Sequence, residues 1–536
     1  MMAMLFAAGC FSIIPAAAEE APKKVSGITG TFMQPWLYQG YTDKKMDNEF
    51  ARMKELGIDT VIMGDTFTKD GTPNGKWSVA YPSKMEEMGG AVCTFDAVDR
   101  LLVYCKKYGM KLYVGVGLDS CWWDKDLSRE EDAKWLENTC RISAKAVKEL
   151  YDIYVPKYGD TFGGYYWVYE IWNHGAWNLD ITRESYAKAL SNGFNIVLDA
   201  INKVDPSKPL LFSPFASYTA DGNGGLATKE NCCKFYTRLF ELTNFRKIDA
   251  ILPMDNIGGG GQTLEHLEEW TRDIYYQSVR NSGNKLQLWS NCESFVQPHE
   301  KKDVWTTGTV DRFVQQLQIT GKYCEKIVSF SWNHYMSPNN TIDGFDKSFH
   351  YYLEHGKLET GKPTLPEKVT AEVNEGIFKA VWTECQDDFG IARYIIEKMN
   401  TSTHAFDPYA KCCIGRKDNQ RTTVRLKHSM ADRQFNTNGR TVYRVYAVDC
   451  TGNHSDYFYI VADASETDGK IVLTPTGGEK GYYTEKEAEE LHILDYDGKT
   501  EKPGGISPLV LGICSGVMVL AVAAAVVVLI LHGRKK

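Results

Sequence analysis

The chain lacks the sequence features that mark several large functional classes. Its 536 residues carry a formal net charge of −8 and have no basic block in the middle of the chain. This argues against nucleic acid as the main partner, because neutralising phosphates requires clustered Lys and Arg. The cysteines show no CxxC pair or zinc-ligand spacing, and the Asp and His residues form no recognisable metal set. We therefore expect no metal and no cofactor.

The two ends of the chain are more informative than its average composition. Residues 1–18 form a short apolar stretch that ends in three alanines, which is typical of an export signal. Residues 507–531 contain the uncharged run Leu509 to Leu531, and about 20 apolar residues suffice for a membrane-spanning helix. The basic residues in 532–536 predict a cytoplasmic tail. The pattern predicts a single-pass cell-membrane protein with its N-terminal bulk outside the cell.

Residues 25–358 alternate short apolar runs with amphipathic stretches. Eight such units follow one another, and regular βα alternation indicates a parallel sheet. Their number and length favour a (β/α)8 barrel, which typically has about 250 residues and more with insertions. A doubly wound open sheet is the alternative. No glycine-rich phosphate loop follows the first strand, which counts against a nucleotide-binding fold.

From Pro363 the pattern changes to short alternating strands separated by turn residues. We interpret residues 363–464 as a small β-sandwich that resembles a fibronectin type III module, with Trp382 and Tyr394 among its core aromatics. Residues 465–506 are polar and are predicted to form a linker or stalk. The predicted fold class is α/β: a (β/α)8 barrel, a small β-sandwich and a C-terminal transmembrane helix.

Two glutamates end predicted barrel strands in aromatic surroundings. Glu170 follows strand four, and Glu293 follows strand seven. Barrel enzymes place their sites at the C-terminal ends of the strands, where strands four and seven face each other. Glycoside hydrolysis needs two carboxyl groups, about 5–5.5 Å apart for retention and about 6.5–9.5 Å apart for inversion. Either glutamate alone has a plausible structural role, paired with an Arg or capping a helix, but the pair favours catalysis.

Other side chains near the predicted strand ends are candidates for substrate contact. The amide, carboxylate, imidazole and tryptophan side chains among them suit hydrogen bonding to hydroxyls and stacking on sugar rings. The candidates, in chain order, are Gln34, Trp36, Asp65, Asp119, Trp172, Asn173, Asp255, Asn256, Trp289, Asn291, Trp332 and His334. Asp65 and Asp119 are alternatively turn or cap residues. Trp36 is alternatively a lid of the barrel core, and His334 is alternatively a histidine whose hydrogen bonds are satisfied within the fold.

Four segments carry a resemblance to a known family. The stretches GTFMQPW, YYWVYEIWN, LWSNCESF and SFSWNHYMSP resemble a bacterial family of glycoside-hydrolase-like TIM barrels that is defined as a domain of unknown function. The resemblance covers about residues 25–355. The barrel is also similar to the retaining glycoside hydrolase clan with catalytic glutamates on strands four and seven, which implies Glu170 as acid/base and Glu293 as nucleophile.

One residue departs from the pattern of that clan. Its members usually have Asn directly before the acid/base, where it holds the sugar 2-hydroxyl, but here the position is Tyr169. Asn173, Asn256 or Asn291 are the possible substitutes. The resulting hypothesis is a cell-surface hydrolase that cleaves O-glycosidic bonds of an extracellular glycan with retention. The alternative is a carbohydrate-binding or adhesion protein that uses the same barrel without catalysis.

Overall fold

The protein is described here by a computed structural model, which covers residues 27–72, 75–174, 180–219, 225–297, 305–413 and 426–496. Within these residues, short buried strands form one parallel sheet. Its strands are β1 (Gly30–Phe32), β2 (Thr60–Asp65), β3 (Lys111–Gly115), β4 (Phe162–Trp167), β5 (Leu210–Phe212), β6 (Ala250–Ile251), β7 (Gln287–Leu288 and Ser290–Glu293) and β8 (Ile327–Phe330).

The sheet closes on itself. Each strand from β1 to β7 pairs in parallel with the next one in the chain, and β8 pairs with both β7 and β1. Strand β7 is interrupted at Trp289. Its first half, Gln287–Leu288, pairs with β6, and its second half, Ser290–Glu293, pairs with β8. The strands are buried on both faces, as a barrel surrounded by helices requires. The barrel therefore has no open edge.

A helix follows each barrel strand. The helices are α1 (Asp43–Glu55), α2 (Ala97–Tyr108), α3 (Glu130–Tyr158), α4 (Glu184–Val204), α5 (Lys229–Leu242), α6 (Leu264–Trp270, Thr271–Tyr276 and Gln277–Asn281), α7 (Val310–Thr320) and α8 (Asp343–His355). Local sequence sets several of their ends. Thr42 caps α1 through its side chain, Asp96 caps α2, and Gly109 ends α2 in the left-handed conformation.

The interior of the barrel is filled at its lower level by apolar side chains. Phe32, Ile62, Tyr113, Tyr166 and Trp289 belong to one buried cluster there. Side chains two residues apart on a strand point to the same face, so Asn291 and Glu293 lie above Trp289 on the inner face of β7. Space for a ligand lies above this packed floor, at the carboxyl ends of the strands.

The second domain is a β-sandwich. Its strands are β9 (Val369–Asn374), β10 (Ile377–Trp382), β11 (Ile391–Met399), β12 (Phe406–Cys413), β13 (Ser429–Asp432), β14 (Gly439–Asp449), β15 (Phe458–Thr467), β16 (Lys470–Thr474) and β17 (Tyr483–Thr484). One sheet has the order β9-β10-β13, and the other has the order β12-β11-β14-β15-β16, with β17 also on β15. Trp382 and Tyr394 lie in the core between the sheets. A fibronectin type III identity is not shown.

The predicted linker, residues 465–506, needs correction in its described part. The strand Lys470–Thr474 extends the larger sheet, and a helix, α9 (Glu485–Glu490), follows β17. Ala488 and Ile493 are buried in a cluster with Val442 and Tyr459. The folded domain therefore continues to residue 496. The overall polar composition of the segment led to the linker prediction, although it contains a strand and two buried apolar residues.

The predicted fold class is wrong in its last element, the transmembrane helix. Within residues 27–496, as far as they are described, no helix is both long and apolar enough to cross a membrane. The segments predicted as an export signal (1–18), a transmembrane helix (507–531) and a cytoplasmic tail (532–536) lie outside the described residues. The described chain consists of the barrel and the sandwich.

Candidate active site

A cavity of about 390 Å³ opens at the carboxyl ends of the barrel strands. This volume is within the usual range for a small-molecule site. Its lining combines carboxylates and amides with apolar and aromatic groups. The lining residues are Phe32, Gln34, Gly64, Asp65, Leu118, Tyr166, Val168, Glu170, Phe215, Met254, Asn256, Gly259, Asn291, Glu293, Phe295, Trp305 and Phe330. The two predicted catalytic glutamates therefore face the same space.

Glu170 follows β4 and lies at the wall of this cavity. Its backbone carbonyl accepts a hydrogen bond of 2.9 Å from the indole nitrogen of Trp122, which fixes the chain at this point. Among the described residues, none donates a hydrogen bond to its carboxyl group. Burial raises the pKa of Glu170 to about 7, because the charged form loses water without gaining a partner. The carboxyl group can therefore carry a proton near neutral pH.

Glu293 ends β7 and is 5% exposed. Its Oε2 atom accepts a hydrogen bond of 2.9 Å from the backbone N–H of Gly259. Burial and the negative charge of Asp255 raise the pKa of Glu293, whereas this N–H and the Arg312 guanidinium oppose the shift. Glu293 is thus a carboxyl group held between groups that favour its charged form and groups that disfavour it.

Asp255 lies behind Glu293 in a buried polar cluster. Its Oδ1 atom accepts the backbone N–H of Glu293 at 3.2 Å, and its Oδ2 atom accepts the side-chain amide of Gln316 at 2.5 Å. Gln316 and Arg312 also donate to the backbone carbonyl of Glu293, at 3.1 and 2.8 Å. Both donors belong to α7, so this helix fixes the tip of β7.

Aromatic side chains form one wall of the cavity. The strand Phe295–Val296 pairs with Thr306–Thr307 directly after β7. Trp305, directly before the second of these strands, stacks on Phe295 with ring centroids 4.5 Å apart and planes 10° apart. Phe330, at the end of β8, meets Phe295 edge to face. Trp305 remains 39% exposed, so part of its ring is available to a ligand.

The structure brings some of the predicted site residues together. Those that line the cavity are Gln34, Asp65, Glu170, Asn256, Asn291 and Glu293. Asn256 adopts a positive φ of 53°, and its side-chain amide donates to Ser217 Oγ at 3.2 Å. Asn291 donates to Ser213 Oγ at 3.0 Å. These two amides are therefore held in fixed positions in the wall of the cavity.

Three predicted tryptophans do not line the cavity. Trp289 lies one layer lower, where it packs edge to face against Tyr113 in the barrel floor. Trp332 is fully buried in the cluster between barrel and helices, because β8 ends at Phe330 and a helical turn follows. Trp172 stacks on Phe215. Correct strand ends would have identified Phe330 as the residue that faces the ligand space.

The remaining candidates also lie outside the cavity lining. Asn173 is fully buried and bridges the backbones of Ser217 and Ala227. Asp119 caps the turn that follows it by accepting the N–H of Cys121, and Asp255 lies behind Glu293. The imidazole of His334 accepts the backbone N–H of Gln34 at 3.3 Å and contacts the ring of Trp36, which is 57% exposed.

Sequence reasoning missed two parts of the site. The first is the glycine run at 258–261, which lies against the carboxyl group: a Cβ atom on Gly258 would lie 3.0 Å from Glu293 Oε2. Glycine is needed there because the backbone approaches the carboxylate closely. The repeated glycines were an available signal. The second part is Trp305, for which the sequence offers no such signal, because the strand that follows it has only two residues, Thr306–Thr307.

In the part of the chain that the structure describes, no group of three or more His, Cys, Asp and Glu side chains is arranged to hold a metal ion.

The barrel domain matches a known protein family. Residues 28–342 match the model of a family described as Domain of unknown function (DUF4434). The chain belongs to this family. The DUF4434 region spans the barrel from before β1 to the residue before α8, and includes both glutamates. A search of the curated proteins found no match.

Solved structures with a similar arrangement include several glycoside hydrolases. A putative alpha-L-fucosidase from Bacteroides thetaiotaomicron is 22% identical, with a TM-score of 0.45, and the match covers 63% of this chain and 94% of that one. A chitinase from Bacillus thuringiensis is 12% identical, with a TM-score of 0.31 and coverage of 85% and 89%. A family 1 β-glucosidase from Thermotoga maritima is 9% identical, with a TM-score of 0.36 and coverage of 58% and 90%. The barrel assignment of the DUF4434 region rests on the closed strand order and not on these distant likenesses.

Proposed function

We propose that this protein is a glycoside hydrolase that cleaves an O-glycosidic bond of an extracellular glycan by retaining double displacement. One observation carries the proposal: Glu170 and Glu293, from the opposite strands β4 and β7, line the same cavity. Two carboxyl groups across a sugar-sized space are the minimal equipment for this reaction. The export-signal pattern in residues 1–18 supports a substrate outside the cell.

Glu170 is the proposed general acid and base. Its carboxyl group has no hydrogen-bond donor among the described residues, and its pKa of about 7 suits proton transfer near neutral pH. Glu293 is the proposed nucleophile. The N–H of Gly259 and the charge of Arg312 favour its ionised form, but burial and the charge of Asp255 outweigh them and raise its pKa to about 8. The assignment of Glu293 as nucleophile therefore rests on its place at the end of β7 and not on its pKa.

The reaction then proceeds in two balanced steps. A carboxylate oxygen of Glu293 bonds to the anomeric carbon while the glycosidic C–O bond breaks and Glu170 gives its proton to the leaving oxygen. The Glu170 carboxylate next removes a proton from water, whose oxygen attacks the same carbon. This breaks the bond to Glu293, releases the sugar and restores both groups.

The lining of the cavity supports a carbohydrate ligand. Trp305 offers an aromatic face, while Gln34, Asn256 and Asn291 offer amides that can bond to hydroxyls. Tyr169, which stands where the related clan has Asn, is buried and its hydroxyl accepts the N–H of Asp119. Asn256 and Asn291 line the cavity and are our candidates for the sugar 2-hydroxyl; Asn173 does not line it.

The test is a pair of isosteric variants of the full chain. Glu170→Gln and Glu293→Gln should each lower turnover on a cleaved glycan by about 100- to 10,000-fold, with circular dichroism unchanged. Glu372→Gln, an exposed position on the sandwich, is the matched control. NMR of the first anomer released distinguishes retention from inversion. Binding of glycans without hydrolysis by the unmodified protein would instead support the carbohydrate-binding alternative.

A further inference from the structure

The sandwich contacts the barrel at the start of α7. The first N–H groups of a helix have no partner within the helix and need one from elsewhere. Thr309, at the N-cap of α7, makes no side-chain capping bond. Instead, the N–H of Val310 donates to the carbonyl of Cys450 at 3.0 Å, and the N–H of Asp311 donates to the carbonyl of Thr451 at 2.7 Å. A loop of the sandwich thus caps a barrel helix.

This contact is buried and closely packed. Cys450 belongs to the hydrophobic cluster of the barrel. The hydroxyl of Thr451 lies 2.7 Å from that of Ser348 on α8. Gly452 has a φ of 124°, and a Cβ atom there would lie 2.4 Å from the Asp311 carboxyl carbon. The loop, the start of α7 and the middle of α8 therefore fit together without space for a side chain at Gly452.

The same helix also binds the tip of β7, through side chains that follow its capped start. Arg312 and Gln316, one and five residues beyond Asp311, donate to the backbone carbonyl of Glu293. Gln316 also donates to the carboxylate of Asp255. A rigid-body shift of α7 would therefore move all of these bonds at once.

We propose that the β-sandwich is a working part of the active site: its loop Cys450–Gly452 positions Glu293 by fixing α7, through the side chains of Arg312 and Gln316. These are positioning residues, because they act on Glu293 and not on substrate. The inference rests on the proposed function only where it concerns turnover.

The experiment compares two glycine substitutions in the full chain. Gly452→Ala places a methyl group against Asp311, whereas Gly376→Ala introduces the same residue at another positive φ, 72°, where nothing lies within 4 Å. Hydrogen exchange followed by mass spectrometry reports on α7 and on residues 290–296 without requiring any activity. We expect Gly452→Ala, but not Gly376→Ala, to accelerate exchange in both segments.

Kinetics supply the second readout. A misplacement of about 1 Å far from the chemistry costs up to about 100-fold in rate, so Gly452→Ala should lower kcat by about 10- to 100-fold, per folded molecule, with KM unchanged. Ser348→Ala, which removes one buried hydroxyl contact, is the milder variant if Gly452→Ala does not fold. Two results would overturn the inference. One is faster exchange in α7 of Gly452→Ala with unchanged exchange in residues 290–296. The other is an equal acceleration of exchange in Gly376→Ala and Gly452→Ala. If the unmodified protein cleaves no glycan, the proposed function fails. The exchange experiment still shows whether the loop Cys450–Gly452 positions Glu293 through α7.

Discussion

The backbone N–H of Gly259 donates a hydrogen bond of 2.9 Å to Oε2 of Glu293. This bond joins the loop after β6 to the carboxylate at the end of β7. It exists because Gly258, the preceding residue, has no side chain: a Cβ there would lie 2.5 Å from the carbonyl of Phe295 and 3.0 Å from Glu293 Oε2. The glycine run is therefore a rigid support for the proposed nucleophile.

Gly258→Ala tests this support. The added methyl group must displace either the loop or the Glu293 side chain, and we expect kcat to fall by about 100-fold. Gly40→Ala is the control, since a Cβ at Gly40 meets nothing within 4 Å. Steady-state kinetics on a cleaved glycan give the comparison. Equal kcat in the two variants would show that the loop does not hold Glu293.

Asp255→Asn tests the charge behind Glu293. The Asp255 carboxylate raises the pKa of Glu293, so its removal should lower that pKa. Attack requires ionised Glu293 together with protonated Glu170. Because the pKa of Glu293, about 8, lies above that of Glu170, about 7, the alkaline limb of the kcat/KM profile follows Glu293. We expect this limb to move to lower pH and the maximum of the profile to rise, while the acidic limb shifts less.

The variant also carries a structural risk that must be separated from the charge effect. Asn at 255 retains an oxygen that can accept the Glu293 and Ile257 N–H groups. Its Nδ2 atom would face the Gln316 amide donor, so the Gln316 amide must turn over to present Oε1, which has no partner in the parent. Circular dichroism and the unfolding midpoint check that the variant is folded. An alkaline limb that stays in place or moves to higher pH, in a folded variant, would contradict the assigned coupling.

Glu170→Gln should make the protein more stable at alkaline pH. Burial raises the pKa of Glu170 from 4.5 to about 7, so the folded state holds a proton that the unfolded state releases. The free energy of unfolding therefore falls as the pH rises from about 4.5 to 7 and then stays level, a loss of about 2 to 3 kcal/mol for this partly exposed group. Gln has no such loss.

The measurement is denaturant unfolding of parent and Glu170→Gln at pH 4, 6 and 8. The stability difference should grow in favour of Gln over this range, on top of any constant offset. Glu372→Gln, at an exposed position, should show no growth with pH. A constant difference between parent and Glu170→Gln would mean that the carboxyl group is not desolvated.

Trp305→Ala should weaken substrate binding without affecting the chemical step. The exposed part of the Trp305 ring borders the cavity, and aromatic stacking contributes about 0.5 to 1.5 kcal/mol. We expect KM to rise about 2- to 12-fold with kcat unchanged, as for uniform binding energy, and Trp305→Phe to restore most of the loss. Trp123→Ala, half exposed and outside the cavity lining, is the control. A fall in kcat alone would contradict a stacking role.

The sequence by itself determined the alternation of strands and helices in the barrel. Continuous apolar runs ending in polar residues placed Glu170 and Glu293 at strand tips, because parallel strands buried on both faces leave polar groups only at their ends. It also determined the change to a β-sandwich after Pro363, since alternating patterns reflect strands with one buried face.

Only the tertiary structure decided which neighbours of these glutamates face the cavity. A shift of strand ending by two residues exchanges Phe330 for Trp332, and the sequence does not fix strand ends that closely. The contacts of Glu293 with Gly259, Arg312 and Asp255 join segments far apart in the chain. Such contacts depend on how helices and loops pack, which local residue patterns do not encode.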